Sequence, residues 1–301
     1  MPTLGIGLPV YNGGRYFAQT LECLRSQTFQ DFDVLIADNA SSDDTERIAK
    51  EVAAADARFR YVRHSHNIGS PANFRYVFSH STGELFAWVA ADDLYDPEFF
   101  ATCIDLLRDN PHAAGAFSAV RAVDAEGRYG DLILEPVRCD DPDPAVRFGD
   151  LASFRQACLA HFAVWHRPVL AQTRLLLPFY GSDRLMLAEL ALRGPLVRDP
   201  RPMFFNRQHE QRISLQGSRS GNTGFFAGAR PPSFLTWHYA RQLWQAVQRA
   251  PLDAASRRRA RCALLSWVLD NRTKLLRSAA RGVVEEARRL RHRRQHLQAQ
   301  R

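Results

Sequence analysis

Apolar and polar positions follow a repeating order through the first half of the chain. A short apolar run gives way to a polar turn and then to apolar residues at helical spacing. LGIGLPV (4–10) predicts a first strand, closed by the turn Tyr11-Asn12-Gly13-Gly14. A helix follows from about Tyr16 to Gln27, with Phe17, Leu21 and Leu24 on one face. FDVLIAD (32–38) reads as a second buried strand, and the polar residues 39–44 lead into a helix through about Ala53. FRYVRH (59–64) predicts a third strand, Ser70–Ser79 a helix, and Leu85–Ala91 a fourth strand. Asp96-Pro97-Glu98 then opens a helix running to about Arg108, because an N-cap, a proline at the first helical position and a first-turn acid stand together. Residues 113–127 read as a strand ending in a turn at Glu126-Gly127.

Strands alternating with helices at this spacing predict an α/β fold with a mostly parallel sheet covered on both faces. In such sheets ligands bind beyond the carboxyl ends of the strands. The turns carrying Tyr11, Asp38/Asn39 and Asp92/Asp93 all emerge at that edge.

Beyond Asp140 the pattern changes. Residues 151–176 read as helical and apolar, and 181–193 as a helix with a largely buried surface. Pro195–Phe205 predicts an edge strand, and Arg207–Gly228, rich in Gly, Ser, Asn and Gln, a mobile loop. From Ser233 onward the pattern is helical, with breaks expected at Pro251 and Gly282.

Composition narrows this picture. The chain has 301 residues, 46% of them hydrophobic, enough for a substantial core, and no apolar run long enough to span a membrane. The N-terminus enters a strand pattern without a basic leader, so no signal peptide is expected. Five scattered cysteines fit a reduced, cytoplasmic protein. The net charge of +8 is uneven: from Ala255 onward 14 Arg/Lys stand against 3 Asp/Glu, so the body is nearly neutral and the tail is basic.

The sharpest chemical signal is LFAWVAADD (85–93), seven uncharged residues that end on two adjacent carboxylates. Neighbouring charges of one sign at the mouth of a crevice call for a cation. The surrounding motifs say which. PVYNGGRYFAQTLECLRSQTFQDFDVLIADNASSDDT and HNIGSPANFRYVFSHSTGELFAWVAADD, in this order, resemble the opening of family 2 glycosyltransferases of the GT-A fold. The resemblance is dense over residues 3–120 and thinner over 181–214. It implies a Rossmann-like, mostly parallel sheet with helices on both faces, plus a C-terminal helical extension. Residues 1–230 would form the catalytic domain (1–120 the nucleotide-sugar half, 121–230 the acceptor half) and 231–301 a basic helical region.

The same resemblance implies roles. Pro9 and Tyr11 would border the nucleotide base, and Asp38 and Asn39 would read its edge, where the family more often has two acids. Asn67, Asn73 and Arg75 would line the donor site. Asp93 would bind a divalent cation, Mg²⁺ or Mn²⁺, directly, while Asp92 reaches ribose or metal-bound water. His209 would be a further metal ligand or phosphate contact. Asp183, at the start of a helix, would be the base of an inverting transfer from a UDP, dTDP or GDP sugar to a saccharide, lipid-linked or small-molecule acceptor.

A different class is set by the tail: a catalytically silent nucleotide- or nucleic-acid-binding protein using ARRLRHRRQHLQAQR. That segment has no interleaved aromatics for base stacking, and nucleic acid binding leaves Asp92, Asp93 and Asp183 unexplained, so no nucleic acid partner is expected. The stripe Leu264/Leu265, Val268/Leu269, Leu275/Leu276, Val283/Val284 predicts an amphipathic helix that either packs on the body or makes a peripheral contact with anionic lipid at the inner face of the membrane, through Arg288–Arg294 above all.

Overall fold

The computed structural model describes residues 2–134, 136–210 and 232–299. Strands β1 (Leu4–Val10), β2 (Phe32–Asp38), β3 (Phe59–Arg63) and β4 (Leu85–Trp88) alternate with helices α1 (Phe17–Arg25), α2 (Thr45–Ala55) and α3 (Ser70–His80). Then come β5 (Leu94–Tyr95), α4 (Phe99–Asp109), β6 (Gly115–Val123) and β7 (Tyr129–Ile133). After these the chain forms α5 (Pro144–Leu151), β8 (Val164–His166), α6 (Arg167–Ala171), α7 (Ser182–Ala191) and β9 (Leu196–Arg207). Helices α8 (Leu235–Arg249), α9 (Ala254–Asp270) and α10 (Arg272–Ala299) complete the described chain.

Among the described residues nine strands form one sheet, ordered β3-β2-β1-β4-β8-β6-β9-β5 with β7 on β6. β3, β2, β1 and β4 are parallel to one another, as the alternating pattern predicts. β8 runs antiparallel between β4 and β6, and the parallel direction returns where β9 joins β6.

Alternation along each strand sorts side chains onto two faces. Leu4, Ile6 and Leu8 of β1 join Val34 and Ile36 of β2 and Leu85 and Ala87 of β4 in one core. Leu35, Ala37, Phe86 and Trp88 point to the other, with Val77 of α3 and Leu187 and Leu190 of α7. Gly7 lets α3 approach this face, since a Cβ there would lie 2.6 Å from Val77 Cγ2.

Three expectations about residues 151–228 need correction. Residues 151–176 are not a continuous helix: they contain β8 and short helical turns. β9 is not an edge strand, because β6 and β5 flank it. The mobile loop read from Arg207 begins inside β9, where Arg207 is buried; its residues 211–228 lie outside the described residues.

The C-terminal helices belong to the body. Tyr239, Leu243 and Val247 of α8 and Ala260, Leu264 and Trp267 of α9 share a third core with Phe148 of α5 and Leu185 and Ala188 of α7. Packing therefore crosses residue 230. Arg174 strengthens this joint: it pairs with buried Glu189 of α7 at 2.6 Å and donates to the Gln242 carbonyl of α8 at 2.8 Å. Pro251 separates α8 from α9 as expected. Gly282 does not break α10 but packs beneath Phe234, and the break falls at Asn271, whose amide donates to the Trp267 carbonyl. No helix of the described residues is long and apolar enough to cross a membrane.

Candidate active site

The turns after β1 and β2 are laced together at the carboxyl edge of the sheet. The Asn12 N–H donates to Ser41 Oγ, the Gly13 N–H to Thr45 Oγ1 and the Gly14 N–H to Asp43 Oδ2, each at 2.9 Å. In return the Ser42 N–H donates to Asn12 Oδ1 at 2.8 Å. Asn12 and Ala40 both sit at positive φ, 51° and 65°. Asparagine tolerates that region, whereas alanine pays for it, a strain that a rigid surround must hold. Tyr11 stands clear of the lacing, 48% exposed. Pro9 is buried within β1.

The next residues face inward. Asp38 is fully buried, accepting from the Ser41 N–H and from Tyr61 Oη, both at 2.8 Å, with Arg63 Nε at 3.5 Å. Burial, reinforced by that bond to Asp38, pushes the Tyr61 phenol well above its usual range. The Asn39 amide is also spent: Nδ2 donates to Asn67 Oδ1 and Oδ1 accepts from the Ile68 N–H. Asn73 donates to the Ala37 carbonyl and meets His64 Nε2. These three side chains are therefore buried and bonded within the turns behind β2 and the loop that enters α3. Asn67 is half-buried and Arg75 is exposed on α3.

At the end of β4 the two acids diverge. Asp93 is 2% exposed; its carboxylate accepts from the Arg207 N–H at 2.8 Å and from Asn206 Nδ2 at 3.1 Å. Asp92 keeps a third of its side chain exposed and meets His209 Nε2 at 2.9 Å. The resemblance gives Asp93 the direct bond to the cation; here its carboxylate meets Asn206 and Arg207 at the end of β9, and Asp92 is the more exposed of the two.

Arg207 completes the arrangement. Its Nε donates to the Asp92 carbonyl, one terminal nitrogen to Gln19 Oε1 and the other to the Asp124 carbonyl. The guanidinium lies 4.5 Å from the centre of the Tyr16 ring, which in turn packs 4.8 Å from the His209 ring. A cavity of about 780 Å³ opens beside His209, lined by Arg15, Tyr16, Glu126, Arg128 and Glu210 among others.

Asp183 occupies the first turn of α7 and is half-buried. The N-cap is Gly181, at φ 90°, so neither Ser182 nor Asp183 serves as a plain cap. One Asp183 oxygen accepts from the Arg184 N–H at 2.8 Å. Across from α7, His161 stacks on Trp88 at 4.8 Å. Burial lowers His161 to a pKa of about 4, against an opposing pull from the Asp183 charge.

With this geometry in view, the comparisons decide the lineage. The family model described as glycosyl transferase family 2 matches residues 6–165, more than half of the chain. The chain belongs to glycosyl transferase family 2. Among curated relatives, this family 2 chain is 28% identical over 146 residues to the putative glycosyltransferase EpsE of Bacillus subtilis, covering 48% of the chain and 51% of the relative. It is 30% identical over 128 residues to an Escherichia coli chondroitin synthase, covering 42% of the chain and 18% of the relative. The chain thus spans about half the length of the first and less than a fifth of the second.

Solved structures share its GT-A fold. S. aureus TarS 1-349 in complex with UDP-GlcNAc aligns with a TM-score of 0.64 at 16% identity, covering 85% of this chain and 69% of that one. The mannosyltransferase PcManGT from Pyrobaculum calidifontis, in complex with GDP-Man and Mn²⁺, aligns with a TM-score of 0.54 at 16% identity, covering 94% and 86%.

Sequence reasoning about this family 2 chain missed Asn206, Arg207, Gln19 and Tyr16. Arg207 looked like the first residue of a polar loop. The available signal was PMFFNR (202–207), an apolar run whose terminal polar residues end on the sheet edge.

Proposed function

We propose that the chain is an inverting, metal-dependent glycosyltransferase, moving a sugar from a nucleotide-diphosphate sugar to an acceptor hydroxyl. One observation carries this reading: Asp92 Oδ2, on a side chain one third exposed, lies 2.9 Å from Nε2 of the largely covered His209, beyond the carboxyl ends of the parallel strands. A carboxylate oxygen and an imidazole nitrogen are both donors that a divalent cation accepts, so Asp92 and His209 would hold it. An imidazole nitrogen favours Mn²⁺ over the harder Mg²⁺. When bound, such an ion offsets charge developing on the leaving diphosphate.

The remaining roles fall to the chain itself. Asp92 and His209 are the metal ligands in this reading, and Asp93 fixes the strand end that delivers His209. Tyr11 offers a ring face to the base, with Asn67 and Arg75 along the donor side, while Asp38, Asn39 and Asn73 shape the turn beneath it. Asp183 is the general base: the Arg184 N–H holds one oxygen, and the other takes the acceptor proton as the hydroxyl attacks the anomeric carbon. Residues 1–120 then hold the donor, and 121–230 with α8 and α9 shape the acceptor side. UDP, dTDP and GDP sugars are the donor classes, and a saccharide, lipid-linked or small-molecule hydroxyl the acceptor.

The test is a thermal-shift series on the full chain with UDP, dTDP and GDP sugars, each with and without Mn²⁺. One nucleotide should raise the melting temperature by several degrees, and only with the metal present. A chain that no donor stabilises under either condition defeats the reading.

A further inference from the structure

The apolar stripe of the tail divides in the structure. Leu264, Trp267 and Leu275 are buried, but Leu265 and Leu269 of α9 and Leu276 and Val283 of α10 remain 62–68% exposed, and Val284 is half exposed. The exposed residues lie at i, i+4 on α9 and i, i+7 on α10, so each helix keeps one outward apolar strip after packing is complete. Arg258, Arg272, Arg277 and Arg281 are exposed on the same two helices. Among the described residues none of them pairs with a carboxylate, unlike Arg259, which meets Asp143 at 2.8 Å.

We infer that the outer face of α9 and α10 docks on an anionic lipid surface. Leucine and valine strips enter the acyl boundary while arginines meet phosphate headgroups, the division of labour of an interfacial helix. Charge argues against the other occupants. A second copy of this face would set two arginine-rich surfaces together, in a segment that carries a net +11 from Ala255 onward. Nucleic acid would neutralise the arginines but leave the exposed leucines in water. The contact differs from the purely basic one expected at Arg288–Arg294, whose side chains lie outside the described residues. It is also independent of which donor the crevice takes.

The experiment is co-sedimentation of the full chain with phosphatidylglycerol vesicles and with phosphatidylcholine vesicles, at low and moderate salt. The chain should pellet with the anionic vesicles only. Leu269→Ser/Leu276→Ser/Val283→Ser should bind them at least tenfold more weakly, with an unchanged melting temperature because these side chains already face solvent. Arg277→Glu/Arg281→Glu should weaken binding mainly at low salt. If the triple serine variant binds vesicles as the parent does, or alters only the oligomeric state in sedimentation velocity, the lipid surface is the wrong partner.

Discussion

Two polar doublets end strands at the same sheet edge, Asp38-Asn39 after β2 and Asp92-Asp93 beyond β4, and they are used differently. In the first, both side chains are consumed inside the protein, by Ser41, Tyr61, Asn67 and Ile68. In the second, one carboxylate is consumed and its neighbour stays open to His209. The difference follows from what packs behind each turn. Asp38 and Asn39 lie beneath the loop that enters α3, whereas the end of β9 takes the Asp93 carboxylate but only the backbone carbonyl of Asp92. A pair of acids in sequence is thus one carboxylate buried in the protein's own hydrogen bonds and one left partly exposed.

Substitutions can break this contrast. The largest effect is expected outside both doublets, at the base: Asp183→Asn should lower kcat by about 10²–10⁴ with donor affinity nearly unchanged. A collapse of donor binding instead would move Asp183 to the nucleotide side. Asp92→Asn should remove most metal-dependent turnover while leaving the melting temperature within a degree or two, since among the described residues its carboxylate meets only His209. Metal titration followed by initial rates would show this. Asp93→Asn should do the reverse first, costing about 2–3 kcal/mol of stability in urea melts, because the bonds to Oδ1 lose their charge and an amide NH2 in place of Oδ2 would face the Asn206 Nδ2 donor 3.3 Å away. If Asp93→Asn melted like the parent and only metal affinity fell, the two roles would have to be exchanged.

The smallest effect concerns pH. His161 has its pKa lowered by burial from 6.5 to about 4. Below pH 6.5 the unfolded chain takes up a proton there that the folded chain refuses until about pH 4. Stability from this group is therefore complete above pH 6.5 and falls through that window, at on the order of 1 kcal/mol per pH unit at most. Urea midpoints between pH 7 and 4.5 should fall more steeply for the parent than for His161→Phe. Parallel slopes would mean that His161 protonates in the folded state.

The first four strands were legible because each is an uninterrupted apolar run with a polar turn behind it. β8 was not: its three residues, Val164-Trp165-His166, sit within an apolar stretch too short to show a period of two. β9 looked like an edge because Pro200 and Pro202 cannot donate to a ladder. Instead its register against β6 shifts around Ser118–Val120, which accommodates the prolines inside the sheet. Tyr11 is exposed on the turn after β1, and Asp92 meets His209 beyond β4. The inward turn of Asp93 was hidden because the residues that claim it belong to a strand end far along the chain, and no local pattern encodes that pairing.

That separation also sets an order of assembly. Asp93 closes on partners 113 and 114 residues downstream, while β1, β2 and β3 pair through short helical crossovers. Loop closure over such a distance is slow compared with local pairing. A chain emerging from the ribosome can therefore build the first strands of the sheet well before β9 completes it. Until residue 207 is made and β9 inserts, Asp93 is a solvated charge at an incomplete sheet edge, and the last strand to arrive switches it from a liability into the post on which His209 hangs.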